Sequence, residues 1–214
     1  MTTALPVVET FHSLQGEGLH SGRSAFFIRL AGCDVGCSWC DTKVSWPMAA
    51  HPLRPVADLA AEATSAAAAG AAFVVVTGGE PLQHDLAPLC RALQPSGSGR
   101  LPLHLETSGV GHASGRFDWI TLSPKRHRPP NEALLGRCDE LKVVVAGVED
   151  LTFAEAMAER ARELRCSSLE PAGPALLLQP AWGDAEGMAL AIDHVRQYPA
   201  WRLSLQTHKW LGMR

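Results

Sequence analysis

The stretch Phe73-Val-Val-Val-Thr-Gly-Gly-Glu-Pro81 joins a run of four hydrophobic residues to a turn that contains two glycines. A second uninterrupted run, Ala175-Leu-Leu-Leu178, leads in the same way into Gln179-Pro180. Strands that are buried on both faces of a parallel sheet have continuous hydrophobic runs of this kind, whereas half-exposed strands alternate. The sequence therefore predicts a parallel sheet with both faces covered.

Short hydrophobic runs alternate with longer amphipathic or alanine-rich stretches along the chain, which is typical of β-α units. We predict at most seven strands, at residues 25–30, 73–76, 103–105, 119–122, 141–145, 175–178 and 202–205. We predict four helices, at residues 56–69, 86–93, 151–164 and 185–197. The chain has 214 residues, fewer than the ~250 that a complete eight-fold barrel needs. An open, partial parallel β/α barrel of about six strands is therefore favoured, and a flavodoxin-like open sheet is the alternative.

Composition and charge narrow the class of protein. The chain is 46% hydrophobic and 19% charged, and its 19 Lys and Arg against 22 Asp and Glu give a net charge of −3. These values fit one domain with a sizeable core, exclude disorder as the main state, and argue against a general nucleic-acid binder. Neither a membrane-spanning run nor a signal peptide is visible, so we expect a cytoplasmic protein without membrane contacts.

Most residues that could bind a ligand or take part in catalysis come directly after the predicted strands rather than inside them. They occupy the segments 33–40, 77–81, 106–109, 123–125, 179–180 and 207–209. In parallel α/β folds the loops after the carboxyl ends of the strands collect on one face, and active sites lie there. The sequence therefore predicts an active site at that face.

Three of the six cysteines lie within eight residues, in Cys33-Asp-Val-Gly-Cys37-Ser-Trp-Cys40. In a reducing cytoplasm such thiols are metal-bound or catalytic more often than paired in disulfides. Iron–sulfur clusters are normally held by four thiolates, so a three-cysteine [4Fe-4S] site leaves one iron open to another ligand. A structural zinc site completed by a distant His or Cys is the alternative. The remaining cysteines stand singly and are interpreted as core or incidental residues: Cys90, Cys138 and Cys166.

The spacing of the three cysteines, Trp39 before the third cysteine, and Gly-Gly-Glu-Pro after the next strand resemble the radical S-adenosylmethionine superfamily. In that superfamily the amino and carboxylate groups of S-adenosylmethionine chelate the open iron. The resemblance implies that Trp39 contacts the adenine and that Gly78, Gly79 and Glu80 receive the methionine end. Glycine lets the main chain approach a ligand closely, and an aromatic face stacks on a purine.

Further motifs narrow the resemblance to the 7-carboxy-7-deazaguanine synthase family. They are Leu14-Gln-Gly-Glu-Gly18, Arg29-Leu-Ala-Gly-Cys33, Cys40-Asp-Thr42, Ser123-Pro-Lys125, Glu140-Leu-Lys142, Leu178-Gln-Pro180 and Gln206-Thr-His-Lys209. They cover nearly the whole chain, which implies a single radical S-adenosylmethionine domain over residues 1–214. The family converts 6-carboxy-5,6,7,8-tetrahydropterin to 7-carboxy-7-deazaguanine, on the route to queuosine and other 7-deazapurines. This ring contraction releases ammonia and needs S-adenosylmethionine, a [4Fe-4S] cluster and Mg²⁺.

The resemblance also implies the site residues. Cys33, Cys37 and Cys40 would hold the cluster, and Thr42 would bind Mg²⁺. Further contacts to S-adenosylmethionine would come from Ser123, Pro124, Lys125, Gln179 and Pro180. The substrate contacts would be Leu14, Gln15, Gly16, Glu17, Arg29, Thr77, His208 and the final residue, Arg214.

These residue types suit the implied ligands. A pterin with a carboxylate needs a cation such as Arg29 and amide or carboxylate partners such as Gln15 and Glu17. Mg²⁺ prefers oxygen ligands and keeps positions for water or substrate, so one threonine hydroxyl and the substrate's oxygens would suffice. The cofactors supply the radical, and the protein supplies positioning and electrostatics.

The family resemblance further implies a homodimer and a flavodoxin- or ferredoxin-type electron donor, with no direct contact to nucleic acid. Histidines other than His208 receive no role, and the basic segment Arg126-His-Arg128 is too short to indicate RNA binding. Two other functions use clustered cysteines: an enzyme that installs a glycyl radical on a partner protein, and a zinc-stabilised binding module. The Leu14–Gly18 segment and the C-terminal Thr-His-Lys argue against the activating enzyme.

Overall fold

The computed structural model describes residues 3–94, 100–166 and 173–213. Within them the chain forms nine strands: β1 (Ala4–Leu14), β2 (Ser24–Leu30), β3 (Leu53–Pro55), β4 (Val74–Gly78), β5 (Leu103–Thr107), β6 (Trp119–Leu122), β7 (Glu140–Val145), β8 (Ala175–Pro180) and β9 (Trp201–Leu203). It also forms six α-helices: α1 (Val56–Ala68), α2 (Ala87–Leu93), α3 (Glu132–Leu135), α4 (Val148–Cys166), α5 (Ala185–Gln197) and α6 (Thr207–Leu211). The C-terminal Arg214 lies outside the described residues.

All nine strands belong to one sheet, in the order β3-β1-β2-β4-β5-β6-β7-β8-β9. From β2 to β9 each neighbouring pair is parallel, with Phe27 opposite Val75 and Leu177 opposite Arg202 as examples of the register. Only β1 runs the other way within the described sheet, antiparallel to both β2 and β3. The predicted parallel sheet is confirmed.

The helices α1, α2, α4 and α5 contribute to a single hydrophobic core on one face of this sheet. Val76, Leu105 and Leu178 point from the strands into that core and are fully buried. On α4, Ala154 and Ala158 are also fully buried, and their small side chains let the helix lie close to the sheet. Each fully buried leucine stabilises the fold by about 1.5–3 kcal/mol. Because these four helices share one face, the flavodoxin-like alternative, with helices on both faces, is wrong.

The other face of the sheet lines a concave interior. Ala25, Phe27, Phe73 and Val75 form a second, smaller core there, and Phe11 packs against it. Strand residues therefore alternate between the helix-covered face and the interior, as the two-residue period of a strand requires.

The sheet is curled, so that its two ends approach each other. The segment after β1 meets the segment after β9: Thr207 N donates to the Gly16 carbonyl (2.9 Å), and Gly18 N donates to Ser204 Oγ (3.0 Å). No pairing between β1 and β9 closes the described sheet. The predicted open, partial barrel is confirmed.

The prediction of at most seven strands is wrong, because it omitted β1 and β3. Most of β1 is only partly buried, its hydrophobic start contains Pro6, and the rest of it mixes polar with hydrophobic residues, so it lacks the proline-free hydrophobic run of a buried strand. The three residues of β3 end in a proline at the edge of the sheet. The last strand ends at Leu203 rather than at residue 205, and the Ser204 hydroxyl instead donates to Gln179 Oε1 (2.9 Å).

The four predicted helices are present, with ends that differ by at most three residues. The short helices α3 and α6 were not predicted, since four and five residues are too few for an amphipathic pattern. The longest described helix, α4, has 19 residues. None of the described helices combines the length and hydrophobicity that crossing a membrane requires.

Candidate active site

The main cavity has a volume of about 370 Å³ and opens at the carboxyl ends of the parallel strands. A smaller cavity of about 110 Å³ adjoins it. Six residues line both cavities: Glu17, Arg29, Asp41, Thr42, Thr77 and Glu106. The segments that follow different strands in the sequence therefore meet at two adjoining cavities.

Most of the predicted site residues line these cavities. The main cavity is lined by Cys33, Cys37, Trp39, Cys40, Gly78, Gly79, Glu80, Ser123, Lys125, Gln179 and Pro180. The smaller cavity is lined by Leu14, Gln15, Gly16 and His208. Pro124 lies in the turn between Ser123 and Lys125 and lines neither cavity.

Residues 33–40, here called the cysteine loop, bring three thiols to the main cavity. Cys37 is buried, whereas Cys33 and Cys40 are partly exposed, and all three are free. Burial raises the pKa of the Cys33 and Cys37 thiols, and the nearby sulfur charges raise it further. With a raised pKa, these thiols stay mostly protonated at neutral pH. A bound cation would lower the pKa and favour the thiolate form.

Within the described residues, no group of three or more His, Cys, Asp and Glu side chains is gathered closely enough to hold a metal ion. The three thiols face one cavity without being drawn together. Their chemistry nevertheless fits a cluster, because soft thiolates are the usual ligands of iron–sulfur centres. Cys33, Cys37 and Cys40 are therefore the residues that would hold it.

The Gly-Gly-Glu-Pro turn packs tightly under the cysteine loop. Gly79 N donates to the Leu30 carbonyl (2.9 Å), and Glu80 N donates to the Gly32 carbonyl (2.8 Å). A Cβ on Gly79 would collide with the Gly32 carbonyl, so only glycine fits there. The turn thereby brings its main chain beside Cys33.

The carboxylate of Glu80 is buried and accepts four hydrogen bonds from other groups of the protein. It accepts from Ser108 N (2.8 Å), Ser108 Oγ, Thr107 Oγ1 (2.5 Å) and Leu82 N (3.1 Å). The side chain fixes the end of β5 against the turn after β4. Glu80 therefore offers a ligand its main chain rather than its carboxylate.

Lys125 brings a cation to the side of the main cavity that holds Cys37. Its ammonium donates to Ser123 Oγ (2.7 Å) and lies 4.9 Å from the centre of the Trp39 ring. Burial lowers the pKa of Lys125 to about 8, although the neighbouring Cys37 opposes this shift. Cation, hydroxyl and aromatic ring form one wall that suits a ligand with an anionic group and a purine.

A network of buried charges spans the interior between β1 and β7. The Lys142 ammonium forms an ion pair with Glu17, which also accepts from Gln206 Nε2 (3.1 Å). Burial alone would lower the pKa of Lys142, but Glu17, Glu106 and Glu140 outweigh it and raise that pKa. Burial would raise the pKa of Glu17, and Lys142 reverses this and lowers it. Both groups are therefore charged at neutral pH.

Glu106 connects this network to the predicted substrate residues. It accepts from Gln15 Nε2 and from Thr77 Oγ1, each at 2.9 Å. No role was predicted for Glu106 or Lys142. The sequence pattern that could have indicated them is a polar residue at every second position of a buried strand, in His104-Leu-Glu106 and in Glu140-Leu-Lys142.

Arg29 points from β2 into both cavities and is partly engaged. Its Nε donates to Glu9 Oε1 (3.1 Å), and its guanidinium lies 5.7 Å from the centre of the Phe11 ring. Its side chain is 23% exposed, so the remaining guanidinium donors can reach a ligand.

The C-terminal helix α6 covers the Gln15–Glu17 turn. His208 packs directly on Gly16, where any side chain would collide with its ring. Burial lowers the pKa of His208, so the ring is neutral at pH 7. Lys209 pairs with Asp41, and Asp41 also accepts from Thr42 Oγ1 (3.0 Å). The helix thus ties the predicted substrate residues to the chain that follows Cys40.

The superfamily model described as Radical SAM matches residues 27–123, which include the cysteine loop and the Gly-Gly-Glu-Pro turn. Fold and site therefore define a radical S-adenosylmethionine enzyme, a class that uses S-adenosylmethionine and a [4Fe-4S] cluster. The chain is 53% identical to the 7-carboxy-7-deazaguanine synthase of Prochlorococcus marinus, with all of both chains covered. It is 34% identical to the synthase of Escherichia coli K12, over 97% of this chain and 98% of that one. The chain belongs to the 7-carboxy-7-deazaguanine synthase family.

Two further comparisons agree. The 7-carboxy-7-deazaguanine synthase of Synechocystis is 48% identical over the whole of this chain and 96% of its own. The crystal structure of QueE from Escherichia coli matches with a TM-score of 0.79 and 31% identity, over 96% of this chain and 95% of that one. These full-length matches favour neither the glycyl-radical activating enzyme nor the zinc-stabilised module.

Proposed function

We propose that this protein converts 6-carboxy-5,6,7,8-tetrahydropterin to 7-carboxy-7-deazaguanine by a ring contraction that releases ammonia. The observation that carries the proposal is that six residues line both cavities. The three thiols line the larger one, and the polar residues around Arg29 and Glu106 line both. A substrate in the smaller cavity would therefore face a cofactor held in the larger one.

When bound, the cluster and S-adenosylmethionine supply the radical that starts the reaction. The protein's own residues bind and orient. The free donors of Arg29 suit the substrate's carboxylate, while Gln15 and Glu106 offer an amide and a carboxylate to the donor and acceptor edge of a pterin. Lys125, with Trp39 and Gln179, offers the matching contacts to S-adenosylmethionine.

The buried Glu17–Lys142 pair gives the interior a fixed field at the substrate's end of the cavity. Because both groups are charged and already paired, they need not reorganise when the substrate's charge distribution changes. Helix α6 covers the same end, with His208 packed on Gly16.

We also propose that Thr42 contributes to a Mg²⁺ site. Thr42 lines both cavities, so its hydroxyl can reach a cation held between the substrate and the cysteine loop. Asp41 Oδ1 lies 3.0 Å from that hydroxyl and adds negative charge beside it. One protein hydroxyl together with substrate oxygens and water suits the octahedral preference of Mg²⁺.

Three finer proposals concern the surroundings of the enzyme. A flavodoxin- or ferredoxin-type protein would deliver the electron, since the cysteine loop lies at the surface, where Trp39 is 45% exposed. The protein would form a homodimer, since Trp210 and Leu211 on α6 expose most of their hydrophobic surface. It would work in the reducing cytoplasm, where its free thiols stay available for the cluster.

Mass spectrometry tests the proposed activity. The protein is reconstituted anaerobically with iron and sulfide, then incubated with the carboxytetrahydropterin, S-adenosylmethionine, Mg²⁺ and a reductant. We expect a product with the mass of 7-carboxy-7-deazaguanine, and none when S-adenosylmethionine or the reductant is omitted. Cleavage of S-adenosylmethionine without this product, in the presence of the pterin, would contradict the proposed substrate.

A further inference from the structure

The basic segment Arg126-His-Arg128, which received no role above, places two of its side chains on the cysteine loop. Arg128 donates from Nη1 to the main-chain carbonyl of Asp34 (2.6 Å) and from Nη2 to its carboxylate (3.0 Å). His127 Nε2 donates to the next main-chain carbonyl, that of Val35 (2.9 Å). Two consecutive carbonyls between Cys33 and Cys37 are therefore held by a turn that lies more than ninety residues further along the chain.

Asp34 has another partner on a different loop. Gln83, which follows the Gly-Gly-Glu-Pro turn, donates to Asp34 Oδ1. Asp34 consequently joins the cysteine loop to the loops that follow β4 and β6. The anchoring turn is itself held, because Arg128 N donates to the Lys125 carbonyl (3.1 Å).

These external contacts matter because the cysteine loop has no helix or strand of its own. Cys33 N donates to the Trp46 carbonyl and Cys40 N to the Cys37 carbonyl, each at 3.2 Å, which fixes the two ends. Between those ends, the conformation at Asp34 and Val35 decides where the Cys33 and Cys37 thiols stand relative to each other.

We propose that Arg128 and His127 are positioning residues that hold Asp34 and Val35 so that Cys33 and Cys37 are presented together to the cluster. The inference rests on the proposed cofactor site and goes beyond it, since neither residue lines the cavities. Residues that orient metal ligands commonly change metal affinity by ~10- to 100-fold. Arg128 is 38% exposed, so we expect the lower end of that range.

The test compares Arg128→Gln with Arg126→Gln. Arg126 lies on the same turn and carries the same charge, but its partners are Glu149 and Asp150 of α4, both at 3.9 Å. Each protein is reconstituted anaerobically, and the release of iron to a chelator is followed by the loss of visible absorption. We expect release about tenfold faster from Arg128→Gln, and at the parent's rate from Arg126→Gln.

Two more measurements separate positioning from general stability. Urea unfolding of the cluster-free proteins should give the same free energy for Arg128→Gln and Arg126→Gln. The electron paramagnetic resonance spectrum of the reduced cluster should differ from the parent's in Arg128→Gln alone. Arg128→Lys should restore only part of the retention, since lysine keeps the charge but lacks the two separate nitrogens with which the guanidinium reaches the carbonyl and the carboxylate.

Iron release and a spectrum identical to the parent's in Arg128→Gln would overturn the inference. So would an equal change in both variants. If Arg128→Gln does not fold, Asp34→Ala decides, because it removes the carboxylate partner and keeps the carbonyl, and release at the parent's rate would count against us. A parent protein that takes up no cluster would instead contradict the proposed cofactor.

Discussion

The two ends of the concave interior are built by the same strands and contain opposite kinds of side chain. At the floor, where the strands begin, Phe73 stacks on His104 with ring centres 4.3 Å apart, and Trp119 and His20 complete a group of rings. At the mouth, two to four residues further along each strand, hydroxyls, carboxylates and an ammonium line the cavity. The floor closes the interior by packing, whereas the mouth keeps polar groups free for ligands.

One strand can therefore serve both the stability of the fold and the chemistry of the site. On β5, His104 belongs to the floor and Glu106 to the mouth, while Leu105 between them is buried under the helices. We expect substitutions at the mouth to remove activity and substitutions at the floor to change stability.

The largest effect is expected at the cysteines. Cys37→Ala should abolish turnover and prevent a complete cluster, as should Cys33→Ala and Cys40→Ala. Cys138 is the matched control, because it is fully buried in the core, its thiol donates to the Leu135 carbonyl (3.3 Å), and burial raises its pKa to about 12. Cys138→Ala should keep its iron content and turnover. Loss of iron from Cys138→Ala would show that the ligand assignment is wrong.

A smaller effect is expected at Arg29. Removing a cation that pairs with a buried carboxylate costs ~2–5 kcal/mol, so Arg29→Ala should weaken substrate binding roughly 30-fold or more and leave S-adenosylmethionine binding nearly unchanged. Anaerobic titration with each ligand measures both effects. Glu9→Gln is the control, because it removes the protein's own partner of Arg29. If Glu9→Gln weakens substrate binding as much as Arg29→Ala does, Arg29 acts only through that pair.

At the floor, we expect His104 to make the free energy of unfolding depend on pH. Burial lowers the pKa of His104 to about 3, from an ordinary 6.5. Between these pH values the unfolded chain binds a proton at His104 that the folded protein does not bind. The free energy of unfolding is therefore unaffected by this group above pH 6.5 and decreases as the pH drops towards 3. The loss from this group should reach about 2 kcal/mol at pH 5.

His104→Phe should remove that loss and keep the stack on Phe73. Urea unfolding of the parent and the variant at pH 7.5 and pH 5 measures it. The difference between the two pH values should be smaller in the variant, with turnover at neutral pH unchanged. An equal pH dependence in both proteins would exclude His104 as its source.

The subtlest effect is expected at Thr42. Thr42→Val keeps the branched shape and removes the oxygen that would bind Mg²⁺. Cluster absorption and the cleavage of S-adenosylmethionine without substrate should stay nearly unchanged, while ring contraction and its stimulation by Mg²⁺ decrease. Titration with Mg²⁺ at matched iron content checks this. Coinciding curves would leave Thr42 with only its hydrogen bond to Asp41.

Short sequence patterns predicted those elements whose structure depends on residues close together in the chain. The hydrophobic run at residues 73–76 predicted β4, and the spacing of Cys33, Cys37 and Cys40 predicted that the three thiols share one loop. The curl of the sheet has no local signal in the sequence, so the pairing of Lys142 with Glu17, 125 residues away, could not be predicted. The contact between Arg128 and Asp34 could not be predicted for the same reason.

The double variant Glu17→Gln with Lys142→Met shows whether the charges at the mouth serve the reaction or the fold. Removing Lys142 alone leaves a buried charge without its partner and should destabilise the protein by about 3–5 kcal/mol. Exchanging both partners removes the ion pair as a unit, while Glu106 keeps its hydrogen bonds from Gln15 and Thr77 and Glu140 keeps the one from Leu19 N. The free energy of unfolding of the double variant should therefore lie within about 1–2 kcal/mol of the parent's.

The deciding measurement is product formation per cluster in that double variant, with its unfolding free energy recorded on the same preparation. We predict near-parent stability and a cluster, with product formation reduced at least tenfold. Product formation at the parent's rate would contradict the account, because the Glu17–Lys142 pair would then only brace the fold.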